Sequence, residues 1–81
     1  MALDSSMRMG LVDISLMHIL RKKKQSPKRT AKKILDTFHN IYPEAILPGE
    51  EDSSYADLVS YINENDFLSI RGLLHRLITS K

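Results

Sequence analysis

"SPKRTAKKILDTFHNIYP", residues 26–43, carries the clearest fold signal in the chain. Ser26 ahead of Pro27 sets a capping hydroxyl before a proline at the first helical position, where the missing N–H costs nothing. Ala31, Ile34, Leu35, Phe38 and Ile41 then recur at helical spacing, so one side of the segment faces a core. Pro43 cannot continue the helix and drives Tyr42 out of helical geometry. These signals predict a helix over about residues 27–40.

The same reasoning extends in both directions. Before it, Leu11, Val12, Ile14, Leu16, Met17, Ile19 and Leu20 lie close together, with Asp13, Ser15 and His18 between them. On a helix these apolar residues cover more than half the circumference. Such a helix is buried on several sides, or buried on one and used at an interface on another. It is expected over about residues 5–22, with Asp4, Ser5 or Ser6 as N-cap.

After it, "PEAILPGEEDS" (residues 43–53) reads as a loop. Pro48-Gly49 is a turn signal with Gly supplying positive φ, and Ala45, Ile46 and Leu47 are apolar enough to tuck against the helices. A short strand-like piece is conceivable in this loop if a second copy pairs with it. Ser54 and Asp57 suggest a capping box, followed by a stripe of Tyr55, Leu58, Val59 and Ile62 over about residues 54–63. "NEND" (residues 63–66) interrupts that stripe, and Asp66 can cap a last helix over about residues 66–79. Phe67, Ile70, Leu74, Leu77 and Ile78 form its apolar face, widened by Leu68 and Leu73; Gly72 within it suggests close packing against a neighbour.

The expected fold is therefore all-α, a small three- to four-helix bundle in one domain spanning residues 1–81. A chain of 81 residues builds only a small core, and no Cys is present to staple it. Together with the all-round apolar first helix, this suggests completion by homodimerisation. The N-terminal stretch lacks a basic leader and is broken by Asp4 and Asp13, so no secretory signal is expected. No apolar run approaches the roughly 20 residues that span a bilayer. The expected setting is the cytoplasm, without membrane contact.

Several chemistries lack their residues. His18, His39 and His75 fall on three different predicted helices, none with a His or carboxylate partner on a ligand face, so no metal is expected. Gly10, Gly49 and Gly72 are too far apart to form a phosphate-binding loop. Without Cys, and with Ser placed mainly in caps and turns, a nucleophile has no evident activator. The expectation is a protein that is not an enzyme and carries no cofactor.

Charge is more informative. The net formal charge is only +2, yet Arg21, Lys22, Lys23, Lys24, Lys28, Arg29, Lys32 and Lys33 fall within thirteen residues. No Lys or Arg follows until Arg71, and eight of the ten acidic residues lie in that gap. Arg21 to Lys24 suit a helix C-terminus, whose dipole favours cations. Lys28 to Lys33 do not suit a helix N-terminus: they oppose the dipole, and the i,i+4 pairs Lys28/Lys32 and Arg29/Lys33 repel. Local cost without local compensation points to an anionic partner. A solvated polar face, or neutralisation by the chain's own acidic middle, explains the same run without one.

The favoured reading is a small non-enzymatic regulatory protein that binds nucleic acid mainly through phosphate contacts. Its proposed contacts are Arg21, Lys22, Lys23, Lys24, Ser26, Lys28, Arg29, Lys32 and Lys33. No aromatic residue interleaves with them, which disfavours a single-strand stacking platform. The segment between the first two helices is too long, and lacks the glycine, for a helix-turn-helix. The alternative is a protein-binding adaptor or inhibitor using the apolar first helix and the acidic loop. Leu11, Ile14, Met17, His18, Ile46 and Leu47 are the expected partner or dimer interface.

Overall fold

Each of the four predicted helical segments is helical in the computed structural model, which describes residues 5–22 and 25–79. In order they are α1 (Ser5–Arg21), α2 (Pro27–Ile41), α3 (Ser53–Asn63) and α4 (Phe67–Thr79). No strand occurs among the described residues, so the loop after α2 has no strand-like piece. The helices pack into a body of 36 × 27 × 18 Å.

Local chemistry sets the helix ends. Ser26 caps α2 as expected: its hydroxyl oxygen accepts from the Arg29 N–H at 3.4 Å, with Pro27 at the first helical position. The start of α3 differs from expectation. Asp52, not Ser54, is the cap, and its Oδ1 accepts from the Ser54 N–H at 2.9 Å. A carboxylate there also meets the positive end of the helix dipole, which a serine hydroxyl does not. Gly49 does not take the positive φ expected of it; the turn instead closes through the Asp52 N–H and the Gly49 carbonyl at 3.0 Å.

α3 ends in a Schellman motif. Asn65 adopts the left-handed conformation (φ 57°), its N–H donates to the Ile62 carbonyl, and the Asp66 N–H donates to the Tyr61 carbonyl. Asp66 then caps α4, accepting from the Ser69 N–H at 3.2 Å and the Ser69 hydroxyl at 2.7 Å. The hydroxyl first and the N–H second hold the Asp66 carboxyl below its usual range. A depressed native value contributes stability that is fully present above the unfolded carboxylate's value and lost as pH falls through the native one. Ser69→Ala should therefore weaken the fall in Tm on acidification below about pH 4, read by thermal melts across pH.

The core takes residues from every helix. α2 lies between α1 and α3, with Ala31, Ile34, Leu35 and Phe38 buried, while α1 and α4 touch only sparsely. α1 contributes Val12 and Leu16, α3 contributes Tyr55, Leu58 and Ile62, and α4 contributes Ile70, Leu73 and Leu74. The Phe38 and Tyr42 rings meet at 5.4 Å between centroids. Arg8 of α1 stacks over the Tyr42 ring and pairs with Glu44, fastening α1 to the segment after α2. Arg71 of α4 reaches Asp13 of α1 at 2.7 Å.

Gly72 does not serve close packing, contrary to expectation: a Cβ there, as at Gly10, would meet nothing within 4 Å. Both glycines sit inside helices. Gly10→Ala and Gly72→Ala should each raise unfolding stability by up to about 1 kcal/mol in a urea titration.

Candidate nucleic-acid interface

α2 divides sharply into two faces. Thr30, Ala31, Ile34 and Leu35 are buried, whereas Lys28, Arg29, Lys32 and Lys33 are all exposed. The buried face fixes the rotation of the helix, and that rotation turns all four cations outward. The Tyr55 hydroxyl of α3 donates to the Lys28 carbonyl at 3.3 Å, anchoring the first turn to the body beneath.

Arg21 and Lys22, at the end of α1, are exposed as well. Five Cα-to-Cα steps, at most about 18 Å, separate Lys22 from Pro27, so the two groups belong to one end of the domain. Lys23 and Lys24 lie outside the described residues.

None of these six exposed cations forms an ion pair with a described residue. Arg8 and Arg71, by contrast, are held by Glu44 and Asp13. Glu44's carboxyl sits below its usual range because a backbone N–H and then the Arg8 guanidinium stabilise its charge. Among the described residues, the acidic middle of the chain thus leaves the basic block unpaired. Asp36, exposed one turn beyond Lys32 and Lys33, marks the limit of the cationic surface along α2.

The helix end itself offers less to an anion than the sequence suggests. Pro27 has no N–H, the Arg29 N–H is taken by the Ser26 side chain, and the Thr30 N–H by the Ser26 carbonyl at 3.0 Å. The Ser26 oxygen accepts within the cap, which leaves its hydroxyl proton as the group able to meet a phosphate. Side-chain charge is the main resource here.

The expected partner surface is split by the fold. Leu11, Ile14 and Met17 are exposed (43%, 67% and 60%), and His18 is exposed beside them. α1 is therefore buried on one side only. Ile46 does not tuck in as expected: it is 82% exposed, while its neighbours Ala45 and Leu47 pack against the core. Leu68 likewise points outward at 76% exposure instead of widening the core face of α4. Met7, 55% exposed, extends the outer face of α1 and was legible in the 7, 11, 14, 18 spacing. The Arg8–Glu44 and Arg71–Asp13 pairs span 36 and 58 positions, and no local pattern announces them.

No helix among the described residues is long and apolar enough to cross a membrane, and no three His, Asp or Glu side chains gather into a metal-binding group. No protein-family model, curated protein or solved structure matches the chain.

Proposed function

We propose that this chain is a small non-enzymatic regulator that binds duplex nucleic acid through the cationic surface formed by the end of α1 and the first two turns of α2. The observation that carries the reading is the set of six exposed cations that form no ion pair among the described residues, where Glu44 and Asp13 pair with other cations. Each Lys or Arg brought against a phosphate releases counterion, which is where sequence-independent affinity comes from. Tyr42 and Tyr55 are buried, and Phe38 is buried beneath the same helix, so no aromatic platform accompanies the α2 cations to stack unpaired bases. A duplex backbone is the better match.

The side chains involved are Lys and Arg without Asn or Gln among them, so phosphate contact dominates over base reading. Two unrelated labelled duplexes of equal length should accordingly bind with affinities within a few-fold of each other at low salt, followed by fluorescence anisotropy. Failure of both to bind at low salt would remove the proposal. The exposed outer face of α1 favours a second activity, protein binding.

A further inference from the structure

Where α1 and α4 make only sparse contact, the α1 surface and the start of α4 leave an open groove of about 700 Å³. Ile14, Met17, Leu20 and Phe67 supply its apolar lining, and on the α1 side Arg21 supplies positive charge and His18 a hydrogen-bonding imidazole. Asn65, fixed in the left-handed turn before α4, closes one edge. Among the described residues, no carboxylate lines the groove. Asp66, next in the turn, is engaged by Ser69, and Glu64 is exposed but does not line it.

Two features indicate an occupant. Ile14 and Met17 are 67% and 60% exposed on a helix whose opposite side is fully packed, and Leu68 stands exposed next to Phe67. Apolar side chains spaced three and four apart on such a helix suit another helix laid along it, and Met adapts to varied partners. The one formally charged residue of the described lining is the cation Arg21, and Lys22 and the α2 cations follow it along the chain. The complementary ligand is apolar along one stripe and anionic beside it. A second copy paired through the same groove would bring Arg21 again and no carboxylate from either described lining, which is like-charge juxtaposition.

We infer that the α1–α4 groove receives an acidic amphipathic helix from a different protein, its apolar stripe against Ile14, Met17 and Phe67 and its carboxylates against Arg21 and His18. The groove shares Arg21 with the proposed nucleic-acid face, but Ile14 and Met17 belong to the groove alone and Lys28 and Arg29 to the nucleic-acid face alone, so substitution separates the two. Ile14 and Met17 are largely exposed, so Ile14→Ser/Met17→Ser should fold normally, as a thermal melt will show.

The test uses three labelled synthetic helical peptides of about four turns. The first has a Leu stripe at i, i+3, i+4, i+7 and Glu beside it. The second has the same stripe with Lys. The third has the composition of the first in scrambled order. The acidic striped peptide should bind, and the other two at least roughly tenfold more weakly. Ile14→Ser/Met17→Ser and Arg21→Gln should each weaken the acidic striped peptide by about tenfold or more, and Lys28→Glu/Arg29→Glu by much less. Equal binding of the scrambled peptide, or indifference to Ile14→Ser/Met17→Ser, would overturn the inference. So would a dimer in sedimentation velocity that dissociates on that substitution, since the groove would then belong to a second copy.

Discussion

Phe38→Ala should lower unfolding stability by about 3–5 kcal/mol, enough to leave the domain barely folded. Phe38 is 1% exposed, lies on the central helix and contacts the Tyr42 ring, so its removal opens a cavity that several helices would have to close. A chain of 81 residues has a total stability of roughly 4–12 kcal/mol, and the loss takes about a quarter or more of it. A urea titration reads the effect as a lower midpoint at unchanged slope. Two adjacent residues of α1 provide the internal control. Leu16→Ala, at 2% exposure, should cost about 2–5 kcal/mol, and Met17→Ala, at 60%, within about 0.5. A large loss at Met17 with little at Leu16 would mean that α1 is rotated from the orientation described.

Lys28→Glu/Arg29→Glu should move stability and binding in opposite directions. Acidic side chains in the first turn of α2 favour the helix dipole, and each would stand four residues before a lysine, Lys32 or Lys33. The expected gain is about 1 kcal/mol in unfolding stability. Duplex affinity should fall on the order of 100-fold, because two phosphate contacts are lost and two repulsions are introduced. A stability-only role for these residues predicts the gain without the loss. A variant that is both less stable and weaker in binding would instead indicate damage to the fold at the Tyr55–Lys28 contact.

How much of this could be read beforehand depends on how strongly each helix marks its two sides. α2 alternates Lys-Arg, Thr-Ala, Lys-Lys, Ile-Leu, so its polar residues identify the outward face and its apolar residues the inward one. Its position, its cap at Ser26 and the exposure of its cations were all legible for that reason. α1 has no such marking. Apolar residues surround it, and only tertiary packing selects Val12 and Leu16 for the core over Ile14 and Met17.

The same limit applies to single residues. Ile46 and Leu68 are apolar and next to core residues, yet neighbouring positions on a turn or helix point in different directions, and composition does not say which. Gly72 looked like a close-approach residue because a helical glycine has a cost, but the neighbour it would need is not there. Asp52 displaced Ser54 as cap because either residue type can fill that role and the choice turns on two steps of chain register. The groove between α1 and α4 joins residues near 14–21 to residues 65 and 67, which no local pattern relates.

The central claim is that the exposed basic surface meets phosphates, and the salt dependence of duplex binding tests it most directly. With four to six phosphate contacts, log K should fall with log salt at a slope of about −3.6 to −5.4. Between 50 and 200 mM salt that is a loss of at least roughly 100-fold. Lys28→Glu/Arg29→Glu should make the slope shallower by about 1.8. A slope near zero, or one unchanged by that substitution, would contradict the account.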